Sequence, residues 1–202
     1  MTQSTMTKTS AERVQQLREL TGAGIMDCKR ALAEADGDFE VAKDLLRKKG
    51  LAIAKKKASR QTTQGQVFSY VHLGGKIGVL VEINCETDFV ARTEAFREFG
   101  RDVAMQIAAT RPLFVSREEA DPAWLEREKE VFCAQAADKP RNVQEKVIHG
   151  KLQKRLEEVC LLDQKFIKDE NKTIQDLVTE LTAKLGERVV IKCFRRFEVG
   201  SE

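Results

Sequence analysis

The residues best suited to covalent or metal chemistry in this chain are two histidines and five cysteines. His72 and His149 stand far apart, and sequence spacing joins neither to a serine, cysteine or carboxylate set. The cysteines lack the close pairs of a zinc site and the density of a disulfide scaffold. They are Cys28, Cys85, Cys133, Cys160 and Cys193. We therefore predict no catalytic residue, metal site or cofactor, and mostly buried, reduced thiols. Because catalytic partners can meet only in space, a hydrolase using His72 or Cys85 stays open as an alternative.

A stronger candidate for function is the point where an apolar strand gives way to a helix. The aliphatic, β-branched run Ile77–Ile83 predicts a strand, and Asn84-Cys85-Glu86-Thr87-Asp88-Phe89-Val90 follows it. Thr87 or Asp88 can cap the next helix, because either side chain accepts from free N–H groups of its first turn. Capping does not explain Phe89, a large apolar ring in a connection that should run over the surface. Phe89 either fixes this corner by a hydrophobic contact or is presented to a partner.

Composition sets the broad class of the protein. The 202 residues are 42% hydrophobic and 33% charged, with a net charge of +3, so a globular chain with interspersed charges is expected. Neither nucleic-acid nor membrane binding follows from this charge. Residues 1–10 lack the apolar middle of a secretory signal. No continuous apolar stretch approaches the roughly 20 residues that a membrane-spanning helix needs. We predict a cytoplasmic protein that binds no membrane and no nucleic acid directly.

The first sixty residues predict three short helices after a flexible tail of residues 1–10. Gly22 lies in a Thr-Gly-Ala-Gly break between the first two helices, where glycine permits positive φ and close approach of two elements. This break follows a helix and lacks the ending of a phosphate-binding loop. Val14, Leu17 and Leu20 form the apolar face of the first helix. The predicted helices are 11–20, capped by Ser10, then 25–35, and 39–49, closed by Gly50.

Two basic runs close this region, Arg47-Lys48-Lys49 and Lys55-Lys56-Lys57. They contain no interleaved aromatic residues, so a solvated helix or linker explains them. The polar stretch 61–65 then predicts a boundary between domains.

Residues 61–202 predict an α+β core with a small antiparallel sheet and several helices. A strand over 66–73 is expected to join the central strand through a two-residue Gly74-Gly75 hairpin. A helix over 93–110 places Phe96, Phe99, Val103 and Ile107 on one face to cover that sheet. The remaining predicted elements are a short strand at 113–116, helices over 122–137, 142–160 and 173–185, separated at Lys139-Pro140 and at 161–166, and a final strand over 188–197 that pairs with the hairpin.

Several stretches resemble the bacterial elongation factor Ts family. They are VQQLRELTGAGIMDCK at 14–29, EINCETDFVA at 82–91, and the endings FIKD at 166–169, GER at 186–188 and RRFE at 195–198. Together they span nearly the whole chain, which is shorter than the long members of that family. The resemblance implies a ubiquitin-associated-like three-helix domain with a basic linker over residues 11–60, and an α+β dimerisation core over 61–202.

By the same resemblance the chain is a guanine nucleotide exchange factor that binds elongation factor Tu with GDP. The implied mechanism dislodges Mg²⁺ and releases GDP so that GTP can bind, which is binding without covalent chemistry, not enzymatic catalysis. The implied contacts are Thr87, Asp88, Phe89 and Val90 in the Mg²⁺-dislodging motif, and Leu17, Arg18, Gly22 and Met26 in the N-terminal domain. The alternative is a ribosome- or RNA-associated binding module without exchange activity, using Lys55–Lys57 and Arg195-Arg196.

We also expect a homodimer. One β-β-α unit looks like half of the duplicated core in longer members of the resembled family, so a second copy would supply the other half. The final strand, apolar and β-rich, would otherwise be an exposed sheet edge. Cys193 on this strand would lie near its symmetry mate, without a disulfide in a reducing cytosol.

Overall fold

A computed structural model describes residues 11–137 and 140–201, and the fold is of the α+β class. The predicted tail, its Ser10 cap and Lys139 lie outside the described residues. The described chain forms two compact units. The first comprises residues 11–65, 84–96 and 177–190, and the second comprises 66–83, 97–176 and 191–201. In the described part of the chain, each helix is too short or too polar to cross a membrane.

Helices make up most of the regular structure, and short strands interrupt them. In chain order the elements are α1 Ala11–Thr21, α2 Ile25–Glu34, α3 Phe39–Lys57, β1 Gln64–Val71, β2 Ile77–Cys85, α4 Asp88–Ala91, α5 Glu94–Thr110, α6 Pro122–Gln135, α7 Arg141–Val159, β3 Lys165–Phe166, β4 Asp169–Thr173, α8 Ile174–Leu185 and β5 Val190–Glu198. Single 3₁₀ turns lie at Arg117–Glu119 and Leu161–Asp163.

In the first unit, α1, α2 and α3 pack around a shared apolar core. Its largest fully buried side chain is Leu17, and Asp38 caps α3 by accepting from the N–H groups of Glu40 and Val41. The prediction that Leu20 shares the buried face of α1 is wrong, because its side chain is 65% exposed. The core residues are Val14, Leu17, Cys28, Ala31, Leu32, Ala35, Ala42 and Leu46.

Gly50 does not end the third helix, contrary to the sequence prediction. α3 runs through it to Lys57, and Gly50 itself is buried. A Cβ built on Gly50 would lie 3.6 Å from the Cβ of Ala183, an ordinary contact distance, so this position has room for a methyl group. The helix formers that follow continue the hydrogen-bonded ladder, and the lysines of the last turn complement the helix dipole.

The second unit is built on a three-stranded sheet in the order β1-β2-β5. Val199 N–H donates to Lys76 O, whereas Cys193 lies against Glu82, so β5 runs antiparallel to β2. This confirms the predicted pairing of the final strand. The predicted two-residue hairpin is wrong: His72 N–H donates to Ile77 O, which closes a four-residue loop between them.

Helix α5 covers one face of this sheet. The predicted apolar face is confirmed, since Phe96, Phe99, Val103 and Ile107 are all buried. A Cβ at Gly100 would lie only 2.3 Å from the ring of Phe68, so this glycine lets the ring pack directly on the helix backbone. The helix begins at Glu94, one residue after its predicted start.

The rest of the second unit contains a hairpin that the sequence did not predict. β3 pairs antiparallel with β4, within and after the segment expected to be only a connection. Buried Gln106 holds it, because its Nε2 donates to Lys165 O at 3.0 Å and its Oε1 accepts from Ile167 N–H at 2.9 Å. The predicted strand at 113–116 is wrong, because that segment forms one isolated bridge, from Phe114 to Cys160.

Candidate functional site

The corner between β2 and α5 is organised by Thr87. Its backbone is extended, and its Oγ1 accepts from Val90 N–H at 3.5 Å, so Thr87 is the N-cap of α4. Asp88 is the first helical residue, and its Oδ2 accepts from Arg92 Nη2 at 2.8 Å. Of the two capping residues that the sequence allowed, the structure selects Thr87.

Phe89 projects from this corner into solvent. Its side chain is 79% exposed, whereas its neighbours Val90 and Ala91 are buried. A residue exposed to this extent does not fix the corner through core packing. The short helix therefore turns two aliphatic side chains inward and presents one aromatic ring outward.

A carboxylate from a distant part of the chain holds the corner. Glu187, between α8 and β5, accepts from Thr87 Oγ1 at 2.7 Å and from Thr87 N–H at 2.9 Å, one bond to each carboxylate oxygen. Hydrogen bonds to a charged acceptor are stronger than those between neutral groups. The residue that caps α4 is thus fixed from outside its own segment.

Glu86 makes the reciprocal contact. Its carboxylate accepts from Arg188 N–H at 2.7 Å and from Arg60 Nη1 at 3.0 Å, and Arg188 Nη1 donates to Arg60 O. These donors, the Arg188 N–H first and then Arg60, hold the pKa of Glu86 below its ordinary 4.5. Two consecutive residues of the corner therefore bond to two consecutive residues before β5.

Cys85 completes the corner without acting as a nucleophile. Its Sγ lies 3.1 Å from Thr87 O, and the side chain is buried. Burial, followed by the charge of Glu187, raises the pKa of the thiol to about 11. A reactive thiol needs a lowered pKa and exposure, so the geometry does not support a hydrolase based on Cys85.

Both histidines belong to the second unit. The ring of His72 lies 3.0 Å from Tyr70 Oη on β1, and His149 is exposed on α7. All five cysteines are free; Cys28, Cys85 and Cys160 are buried, as predicted for most of them, and Cys133 and Cys193 are exposed.

The break between α1 and α2 forms a second exposed surface in the same unit. Gly22 has φ of +64°, and its N–H donates to Arg18 O at 2.7 Å. Met26 is 60% exposed and Arg18 is also exposed, whereas Leu17 is fully buried. The structure thus exposes Arg18 and Met26, leaves Gly22 half-buried between them in the sequence, and buries Leu17 in the core.

Further residues contribute to these surfaces that sequence reasoning missed. Ile25 is 56% exposed beside Met26, and Lys184 Cδ lies 3.2 Å from where a Cβ on Gly22 would stand. A depression of about 670 Å³ is lined by Ala11, Gln15, Arg18, Glu19, Gly22, Ile25 and Lys184. At the corner, one feature of the sequence could have pointed to Glu187: it lies in the GER stretch at 186–188, which resembles the family.

Comparison with known proteins finds a family match over nearly the whole chain. A family model described as elongation factor TS matches residues 4–201. Elongation factor Ts of Geotalea daltonii is 55% identical over 193 residues, which cover 95% of this chain and 89% of the relative. Elongation factor Ts of Carboxydothermus hydrogenoformans is 56% identical over 193 residues, with coverages of 95% and 89%. Elongation factor Ts of Thermotoga petrophila is 52% identical over 191 residues, with coverages of 95% and 96%. These matches confirm the resemblance: this chain belongs to the elongation factor Ts family of translation elongation factors.

Proposed function

We propose that this chain is the guanine nucleotide exchange factor of elongation factor Tu, and that it releases GDP so that GTP can bind. The observation that carries the proposal is Phe89, an aromatic ring 79% exposed on a corner whose cap is held by Glu187. Large exposed aromatic side chains are frequent energetic centres of protein interfaces.

The mechanism needs binding alone. A GTPase holds its nucleotide through Mg²⁺, a phosphate-binding loop and switch segments, so disturbing that cluster weakens the nucleotide without covalent chemistry. Phe89 inserts into the GTPase domain as a wedge and helps to dislodge Mg²⁺. Thr87 and Val90 orient the ring, while Asp88 remains accessible on the same helix. In this proposal the chain is not an enzyme.

The surface at the Gly22 turn supplies a second contact with the same GTPase. Arg18 offers an exposed charge and Met26 an exposed thioether, one on each side of the half-buried turn at Gly22 in the sequence. Leu17 belongs to this contact only indirectly, because its buried side chain anchors α1 under the exposed residues.

Thermodynamic reciprocity then explains turnover. If the factor weakens GDP binding by some ratio, GDP must weaken binding of the factor by the same ratio. A newly bound nucleotide therefore releases the factor. The proposal places this cycle in the cytoplasm, where translation takes place, and involves no membrane and no direct contact with nucleic acid.

The basic end of α3 gives limited support to the alternative of an RNA-associated module. Lys49 Nζ donates to Asp27 Oδ1, and Lys57 Nζ donates to Gly186 O. These two cations are already engaged within the first unit. The exchange proposal leaves the basic runs as part of the folded helix.

A mixing experiment tests the proposal. Elongation factor Tu loaded with fluorescent GDP is mixed with this chain and excess unlabelled GDP, and the fluorescence decay is followed. We expect release to accelerate with factor concentration and then saturate, with modest dependence on salt. Unchanged release, together with RNA binding that weakens steeply with salt, would instead establish the RNA-associated alternative.

We also propose that two copies associate through the outer face of the sheet in the second unit. Because side chains alternate along a strand, Arg195 and Phe197 of β5 share the face on which Cys193 contacts Glu82. The exposed apolar residues of this region include Val67, Val71, Leu80, Phe197 and Val199. A two-fold axis would bury them and would allow Glu82 of one copy to face Arg195 of the other.

Light scattering at micromolar concentration tests the homodimer. Phe197→Asp should give a monomer, since it places a charge inside the apolar contact. Ile167→Asp is the matched control, because Ile167 is 44% exposed outside this sheet. A wild-type monomer across that concentration range would contradict the proposal, and a dimer insensitive to reductant would support it without a Cys193 disulfide.

A further inference from the structure

We propose that Glu187 is a positioning residue for exchange, which holds Phe89 in the orientation that the partner requires. The inference rests on the proposed exchange function and adds a residue remote in sequence from the corner. Glu187 does not act by touching the nucleotide or the GTPase; it acts through Thr87.

The contacts of Thr87 carry this inference. Its N–H and its hydroxyl both donate to the Glu187 carboxylate, and its carbonyl oxygen lies 3.1 Å from Cys85 Sγ. Because the hydroxyl proton points to Glu187, an oxygen lone pair is left to accept from Val90 N–H. Glu187 therefore fixes the position of Thr87 and also orients its Oγ1 to accept from Val90 N–H.

Contacts of the two neighbouring residues hold Glu187 in place. The next residue, Arg188, donates its N–H to Glu86, and its guanidinium donates to Arg60 O. The preceding residue, Gly186, accepts from Lys57 Nζ through its carbonyl oxygen. The segment 186–188 is thus tied on both sides of Glu187 to elements of the same compact unit.

Helix α4 needs such a brace because it has only four residues. A helix of this length does not hold itself, since nucleation fixes several dihedral angles for one hydrogen bond. Phe89 lies two residues after Thr87 and, being 79% exposed, receives little restraint from packing. Without Glu187 the ring would sample more orientations, and binding would have to restrict them again.

The first test uses the free protein and does not depend on exchange. Hydrogen exchange at the Thr87 amide should accelerate about ten-fold in Glu187→Ala, because the amide loses its acceptor and the local structure opens more often. Glu187→Gln should give a smaller effect, since the amide keeps one acceptor oxygen at a place where the carboxylate offers a separate oxygen to each Thr87 donor. Glu34→Gln, at the exposed end of α2, is the matched control and should leave the amide unchanged.

The second test separates positioning from docking. In titrations of elongation factor Tu with fluorescent GDP, Glu187→Ala should lower the maximal release rate about ten-fold, by analogy with the cost of ordering one side chain at an interface. The factor concentration giving half-maximal release should change less than about two-fold, because the Gly22 surface is untouched. In a Phe89→Ala background, removing Glu187 should have no further effect, since it acts through that ring.

The outcomes distinguish this inference from the function on which it rests. If the Phe89→Ala variant promotes GDP release from elongation factor Tu as fast as wild type does, the wedge proposal fails. A different outcome is that Phe89→Ala promotes GDP release poorly, while Glu187→Gln and Glu187→Ala match wild type in release rate and in protection of the Thr87 amide. The wedge proposal then stands, and the positioning role of Glu187 is overturned. Additive losses in the double variant would also overturn it. Should Glu187→Ala unfold, the isosteric Glu187→Gln decides by the same criteria.

Discussion

Two exposed side chains in the first unit, Phe89 and Met26, are held in different ways. Met26 follows a turn fixed by bonds to the preceding helix, from Gly22 N–H to Arg18 O and from Thr21 Oγ1 to Leu17 O. Phe89 follows a cap fixed by Glu187, one hundred positions further along the chain. The turn is therefore set by local sequence, whereas the corner depends on tertiary structure and can be disturbed from a distance.

The largest expected effect on stability comes from beneath the Gly22 turn. Leu17→Ala should lower the free energy of unfolding by about 3 kcal/mol, because it leaves a cavity in the core of the three-helix bundle. Met26→Ala should change it by less than about 0.5 kcal/mol, since this side chain is 60% exposed. Urea titration measures both. Equal losses would mean that Met26 packs in the core and is not available to a partner.

Two glycines of the same unit should respond with opposite signs. Gly22→Ala should destabilise by about 1 kcal/mol, because its φ of +64° disfavours a side chain and its Cβ would press on Lys184. Gly50→Ala should stabilise by about 0.5 kcal/mol, because it removes a helix-interior glycine where the new methyl meets only Ala183 at ordinary contact distance. Thermal unfolding of both variants checks the signs, and destabilisation by Gly50→Ala would show that the helices need closer contact.

Asp88→Asn tests how much of the corner depends on charge. The pair with Arg92 is solvent-exposed, so its loss should cost less than about 0.5 kcal/mol of stability. Exchange should stay within about two-fold of wild type, because Thr87 remains the cap. GDP-release kinetics measure this directly. A loss as large as that of Phe89→Ala would assign the carboxylate a direct role against the partner.

The hydrogen bonds of the Glu86 carboxylate to Arg188 N–H and Arg60 Nη1 predict a small acid-dependent effect on stability. Because its pKa lies below the ordinary 4.5 in the folded state, its stabilising contribution is complete above that pH and is lost as pH falls through the folded value. Glu86→Gln should therefore flatten the decline of stability below about pH 4.5. Urea midpoints measured from about pH 3 to 7 test this, with Glu34→Gln as control. An unchanged slope would show that the hydrogen bonds of Glu86 do not contribute to the free energy of unfolding.

Local and long-range contacts differ in how well the sequence predicts them. The helices of the N-terminal bundle and the Thr87 cap have local signals, namely apolar periodicity, glycine at a turn and a capping side chain. The sequence does not predict that α3 continues through Gly50, because a glycine inside a helix has the same local signal as a glycine that ends one. The β3-β4 hairpin and the Glu187 contact were missed because Gln106 and Glu187 bond to residues far away in sequence.

The most direct test of the wedge compares Phe89→Ala with Leu51→Ala in GDP release from elongation factor Tu. Both positions carry exposed apolar side chains in the first unit, 79% and 51% exposed, so both variants should keep wild-type helicity. Phe89→Ala should lower the maximal release rate on the order of 30-fold, the loss typical of an interface hot spot, and Leu51→Ala should leave it unchanged. A folded Phe89→Ala protein that releases GDP at the wild-type rate would contradict the account.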